Sequence, residues 1–364
     1  MDRQTYLEIN IDNFKNNIEV LEQISSNHGK KIMPILKAYG YGTYVNKVPD
    51  LINSFSIIGL AICSEAIEIR KNGFRNDIFI LNEPYIEDID VILNNELIVG
   101  VCSSNFIKAI GKRGDYVRIF IEVETGMGRT GVKPEEMQNF IKLIKAYQNI
   151  DVVGCYTHFC VADSDSKENI DYTNRQIKIF DETVKVLKSE FPNLKYISSE
   201  ASDGLLKYND DEANLTRPGL ILYGYEPYEG AFNNLNLKPI AKLKSKISYI
   251  KDIGKNESIG YGRSFISDKA MRVATVGIGY ADGLPRELSN KGEVVINGKK
   301  SRILGIVCMD SFMCDVTNID CNEGDEVFIW DNDLVTLEDI ASKCNTINYE
   351  IISRISDRVP RIFI

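Results

Sequence analysis

Through the first two thirds of the chain, short apolar runs alternate with longer polar–apolar stretches. That alternation limits the fold more than any other feature. The runs lie at 6–9, 32–36, 57–61, 77–81, 97–101, 117–123, 152–158, 195–198 and 219–223. Their length and bounding residues read as strands, while the stretches between them read as helices. The clearest stretch places Ile177, Phe180, Val184, Leu187 and Phe191 at helical spacing, with Asp165 and Ser166 as candidate N-caps before it. Repeated strand–helix units give a parallel sheet, and about eight of them close into a (β/α)8 TIM barrel. The rival is a doubly wound open sheet. It usually carries a glycine-rich dinucleotide fingerprint after its first strand, and none is present.

Near Leu235 the pattern changes. Runs at 238–251, 271–278, 293–296 and 301–307 are strand-like, with few helical stretches between them. Asn297-Gly298 between two such runs is a hairpin signal, and Thr336-Leu337-Glu338-Asp339 reads as a capped short helix. The expectation is therefore two domains, a barrel over 1–235 and a mostly β domain over 236–364. A chain of 364 residues exceeds the usual size of a single core. The net charge of −9 argues against nucleic acid or an anionic membrane as partner. Met1-Asp2-Arg3-Gln4-Thr5 contains no signal-peptide core, and no apolar run is long enough to span a bilayer. Eight cysteines occur without a CxxC pair. Cys155 and Cys160 lack the spacing and histidine partners of a zinc site, so no metal is expected. The cysteines read as reduced thiols of a cytoplasmic protein.

Lys37 is the first candidate for chemistry. It ends the apolar run Ile32-Met33-Pro34-Ile35-Leu36 and opens the turn Ala38-Tyr39-Gly40-Tyr41-Gly42. An amine at the end of a buried strand is partly desolvated, which favours its neutral form. A neutral amine condenses with an aldehyde, the way pyridoxal 5′-phosphate (PLP) is held as a Schiff base. Taken alone, Lys37 reads more readily as a surface lysine after an edge strand.

Eight motifs then occur in order. The first four are Ile35-Leu36-Lys37-Ala38, Glu124-Thr125-Gly126-Met127-Gly128-Arg129-Thr130-Gly131, Tyr156-Thr157-His158-Phe159 and Arg217-Pro218-Gly219-Leu220. In the second part come Gly260-Tyr261-Gly262, Gly277-Ile278-Gly279-Tyr280-Ala281-Asp282-Gly283, Val307-Cys308-Met309-Asp310 and Ile347-Asn348-Tyr349-Glu350, the last followed by Arg358-Val359-Pro360-Arg361. With these motifs the chain resembles, along its whole length, the alanine racemase family of fold-type III PLP enzymes.

The resemblance implies a role for each match. Lys37 would bind PLP and act as one acid/base group, and Tyr261 as the opposite one, since racemisation removes a proton from one face of Cα and delivers it to the other. A free tyrosine has a pKa of about 10, so Tyr261 must be activated to work near neutrality. His158 would stack beneath the PLP ring. Arg217 would face the pyridine nitrogen and, being unable to give up a proton readily, leave PLP a weaker electron sink. Phosphate would be held by the backbone of Gly219 and Leu220 with Ser202, Tyr41 and Tyr349. Around Tyr41 the sequence departs from the family pattern, so Tyr39 is a rival for that role. Arg129 would contact the cofactor's phenolic oxygen and the substrate carboxylate. Seven residues before it, where the family often has a carbamylated lysine, stands Glu122. Glu122 either supplies that carboxylate directly as a partner of Arg129 or is a barrel-core glutamate paired with another cation. Met309 and Asp310 match the loop that presents a backbone N–H to the substrate. Tyr280, Asp282, Arg286, Ile347 and Tyr349 match positions lining the entrance.

The resemblance thus implies an isomerase that interconverts L- and D-alanine for peptidoglycan. It also implies a homodimer in which Tyr261 and Met309 reach the other subunit's site. Three rivals remain. A non-catalytic PLP-homeostasis protein lacks the β domain and the Tyr261 turn. A fold-type III decarboxylase would replace the Gly260-Tyr261-Gly262 and Met309-Asp310 context. A racemase for serine or a broader range of amino acids shares the Ser202–Tyr208 pattern, and Tyr349 favours the tighter pocket of an alanine enzyme.

Overall fold

A computed structural model describes residues 3–232 and 234–364. Six parallel strands, Ile57–Leu60, Asp77–Ile80, Ile98–Val101, Val117–Glu122, Ile150–Tyr156 and Tyr196–Ser198, pair in chain order. Lys31–Ile32 and Leu215–Thr216 form a further parallel pair. Parallel bridges Ile35 to Gly59 and Ala201 to Arg217 join that pair to both edges of the six. The eight strands thereby close on themselves, as the alternation of runs leads one to expect. Helices between the strands bury one face each. In the longest, Lys167–Glu190, Phe180, Val184 and Leu187 are fully buried and Ser166 caps the start by accepting from Asn169 N at 3.3 Å.

Two of the sequence-derived strands need correction. The run 219–223 is not a strand. Leu220–Tyr223 forms a buried 3-10 turn, and the eighth barrel strand is the short Leu215–Thr216. The run is apolar because it packs against the helix Ile11–Asn27, with Tyr223 against Phe14 and Leu222 O accepting from Asn17 Nδ2 at 3.1 Å. Pro218 lacks an N–H and can only accept in the ladder, taking a hydrogen bond from Ile35 N at 2.9 Å, and regular pairing goes no further. The first run, 6–9, is a strand but not a barrel strand. Tyr6–Ile9 pairs with Ala241–Ile253 and Arg361–Phe363 in the second sheet.

That second sheet is eight-stranded and antiparallel apart from the Tyr6–Ile9 to Arg361–Phe363 pair. Ala241–Ile253 pairs with both Glu326–Trp330 and Met271–Val276, so six of its strands curl into a closed β barrel. The Asn297-Gly298 hairpin joins Glu293–Ile296 to Lys299–Leu304, both turn residues having positive φ as such a turn requires. Thr336 and Asp339 form the expected reciprocal cap. A two-stranded ribbon, Ser258–Ile259 with Phe265–Ile266, carries Tyr261 at its tip. Gly260 has φ 70°, and a side chain there would meet Met313 Cε at 3.0 Å, so this tip requires glycine.

Among the described residues no helix is long and apolar enough to cross a membrane. No group of three or more His, Cys, Asp or Glu among them is placed to hold a metal ion.

Candidate active site

At the C-terminal ends of the barrel strands lies a cavity of about 270 Å³. Lys37 enters it from an unusual turn. Ala38, Tyr39 and Gly40 are consecutively left-handed, with φ of 52°, 55° and 65°. For residues other than glycine this conformation is unfavourable and must be held by its surroundings. The buried carboxylate of Glu65 does so, accepting from Ala38 N at 2.5 Å and from Ala61 N at 2.9 Å. Burial lowers the pKa of the Lys37 amine, the guanidinium of Arg129 and, more weakly, that of Arg217 act the same way, and Glu65 opposes them.

Arg217 is 3% exposed and pinned by the barrel. Its guanidinium donates to Ser198 O and Ser198 Oγ, both at 2.6 Å, and to Thr157 O at 2.5 Å. Burial brings its pKa down to about 10, so it stays charged at neutral pH. His158 faces the same cavity. Burial first, then Arg217, Arg129 and Lys37, lower its pKa to about 3, leaving a neutral imidazole.

The other end of the cavity is lined with hydroxyls. Gly219 N donates to Ser202 Oγ at 3.0 Å, and Tyr41 and Tyr349 stand beside them. A Cβ at Gly219 would lie 2.5 Å from the Tyr41 hydroxyl, so glycine keeps this floor open. An amine and a guanidinium toward one end, with hydroxyls over a bare glycine at the other, suit a molecule with an aldehyde, a ring nitrogen and a phosphate. These residues fit PLP. Tyr41 lines the cavity, whereas its rival Tyr39 is 41% exposed and stacks on Tyr44 outside it.

Other expected residues stand elsewhere. Leu220 is buried in the 3-10 turn behind Gly219. Glu122 is buried in its strand but makes no ion pair with Arg129. The expected pair is corrected to a hydrogen bond from Thr130 Oγ1 to Glu122 Oε1 at 2.9 Å, with Tyr156 also facing the carboxylate. The Thr130 hydroxyl takes one carboxylate oxygen, and Arg129 acts on the carboxylate only through space. Asp282 is not an entrance residue either. It is fully buried, and its carboxylate accepts from Gly279 N and binds Arg3 at 2.7 Å. Asp310 is exposed and pairs with Arg358 at 2.7 Å. Tyr261, Met309, Tyr280 and Ile347 are 70%, 52%, 43% and 61% exposed, and with the exposed Arg286 they lie outside this cavity. Sequence reasoning missed Asn82 and Asp203 as lining residues. Asp203 follows Ser202 directly, which is the one signal that would have found it.

A barrel whose mouth holds a half-buried lysine, a pinned arginine and a hydroxyl-lined cradle, joined to a β domain, is a two-domain architecture with a site of the kind that fits PLP. The chain matches the family patterns described as "Alanine racemase, N-terminal domain" over residues 9–227 and "Alanine racemase, C-terminal domain" over 240–363. It is 36% identical to an alanine racemase of Clostridium novyi, the alignment covering 100% of this chain and 96% of that protein. It is 34% identical to one of Halothermothrix orenii, covering 99% and 96%. The solved alanine racemase of Clostridium difficile superposes with a TM-score of 0.92 at 31% identity, covering 100% of this chain and 96% of that one. That of Bacillus anthracis, solved with bound L-Ala-P, gives 0.91 at 29% identity, covering 100% and 96%. The chain belongs to the alanine racemase family.

Proposed function

We propose that this chain is a PLP-dependent alanine racemase that interconverts L- and D-alanine by a two-base mechanism. The observation that carries the reading is Lys37, its amine shifted toward the neutral form, in one cavity with Arg217 and the Ser202–Gly219 cradle. When bound, PLP supplies an aldehyde for the amines and an electron sink that acidifies Cα. Lys37 would hold the cofactor and then move a proton on one face of the substrate. Tyr261 of the partner subunit would serve the opposite face, its exposure on a ribbon tip supporting a role at another chain's cavity. Arg217, fixed by carbonyls and charged, would face the ring nitrogen without protonating it. Ser202, Tyr41, Tyr349 and the backbone of Gly219 and Leu220 would bind the phosphate, and Arg129 and Met309 would orient the substrate carboxylate. The D-alanine would supply peptidoglycan synthesis in the cytoplasm. Tyr349, reaching into the cavity beside Tyr41, narrows it in favour of alanine over serine.

The test is a panel of L-amino acids incubated in deuterated water with PLP-loaded enzyme. Alanine should racemise fastest, with exchange at Cα. A clear preference for serine would overturn the substrate, and no exchange with any amino acid would overturn the reaction.

A further inference from the structure

We propose that Asp203 makes cofactor affinity depend on pH: the phosphate is held beside this carboxyl, which enters the complex as the neutral acid and donates its O–H to a phosphate oxygen. The proposal rests on reading the cavity as a PLP site. Asp203 follows Ser202 in the short helix Ser202–Lys207 and lines the same cavity as Ser202, Gly219 and Tyr349. Its Oδ1 is buried and has no hydrogen-bond partner. A buried acceptor left unpaired is costly, and it becomes a donor site once protonated.

Among cations Lys207 alone acts against protonation through space, and only after burial and Asp163, because its amine is committed elsewhere. Lys207, on the same helix, donates to Asp163 O at 2.7 Å and Asp165 Oδ1 at 2.6 Å, with its amine over the Tyr228 ring. From the segment before the helix Lys167–Glu190, Asp163 adds a like charge. Tyr349, from the helix Asn348–Ser353, and Tyr228 also face Asp203, and both phenols are pushed above their ordinary value, so they remain neutral. Burial first and then Asp163 raise the Asp203 carboxyl to about 6. A phosphate dianion alongside raises it further by like-charge repulsion. At neutral pH the free protein therefore holds a carboxylate where the complex holds a carboxylic acid. One proton is taken from solvent on binding and returned on release.

The probe is pyridoxamine 5′-phosphate, which has the phosphate but no aldehyde, so covalent capture by Lys37 does not enter. Its Kd for the full-length apoprotein is measured from pH 6 to 9 for wild type and Asp203→Asn, which keeps the shape and an N–H donor. Above about pH 6, wild-type affinity should fall relative to the variant by up to about tenfold per pH unit. Calorimetry of the wild type in buffers of different ionisation heat should show net proton uptake at pH 7.5, independent of whether the variant folds. Binding curves that stay parallel, or no proton uptake, overturn the role of Asp203 alone. No binding to either protein at any pH overturns the cofactor reading itself.

Discussion

Around Lys37 the local field has named sources, and each can be tested singly. His158 shares the cavity with three cations and should stay neutral well below its ordinary range. The chain has only two histidines, so ring NMR can follow each separately. The His158 imidazole should show no protonation down to pH 5, and a titration near 6.5 would contradict the described electrostatics. Glu122 contacts Thr130 rather than Arg129, so its charge acts on Arg129 only through space. Glu122→Gln keeps the acceptor for Thr130. It should lower kcat/KM by less than about tenfold, equivalent to about 1.4 kcal/mol. With no lysine to carbamylate, bicarbonate should change neither protein. A hundredfold loss, or rescue by bicarbonate, would restore a direct link to Arg129. The residues legible in the sequence were those whose motif fixes both chemistry and position, such as Lys37, His158 and Arg217. Glu122's partner was not legible, because which hydroxyl or guanidinium reaches a strand carboxylate depends on fractions of an ångström. Asp203 carried no pattern of its own.

At the scale of elements, alternation revealed the barrel but not its closure. Leu215–Thr216 is too short to read as a strand, while Leu220–Tyr223 is apolar for helix packing and so imitates one. Phe312–Asp315, Glu326–Trp330 and Arg361–Phe363 also escaped notice, being short or mixed in character. Elements of the barrel are also tied by buried charges. Lys30, after the helix Ile11–Asn27, meets Glu200 at 2.6 Å, both side chains 1% exposed, and Asp210 N shares the same carboxylate oxygen at 2.7 Å. Lys30→Met strands that carboxylate and should cost about 3–5 kcal/mol in a denaturant melt. A loss below about 1 kcal/mol would show that water reaches the site. On the helix Lys167–Glu190, Asp181 faces Asp210, Glu212 and Lys185. Burial and then Asp210 raise its pKa to about 7. The folded state thus binds a proton that the unfolded carboxyl, with a pKa of about 3.9, has already shed. Stability from this site is present below the unfolded value and lost as pH rises through about 7. Asp181→Asn should therefore melt above wild type at pH 8, with the gap shrinking toward pH 6. A gap independent of pH would contradict the raised pKa of Asp181.

For the whole molecule, the cavity in the barrel holds Lys37 but not Tyr261 or Met309, which stand exposed on the β domain. Tyr261, exposed on a glycine-built ribbon tip, does not line the cavity that holds Lys37, so the proposed two-base reading calls for a second copy. The motif order made the two halves of the chemistry legible. Which chain each half serves came only from the family resemblance, since residue spacing by itself carries no record of the distance between domains. The most direct test mixes two inactive chains, Lys37→Ala and Tyr261→Phe, under conditions where exchange of subunits is verified by mass. Each mixed dimer should contain one site with both groups intact, and alanine racemisation should return toward about a quarter of the wild-type level at equal mixing, since half the dimers are mixed and each has one of two sites restored. A mixture that exchanges subunits and remains inactive would contradict the shared two-base site.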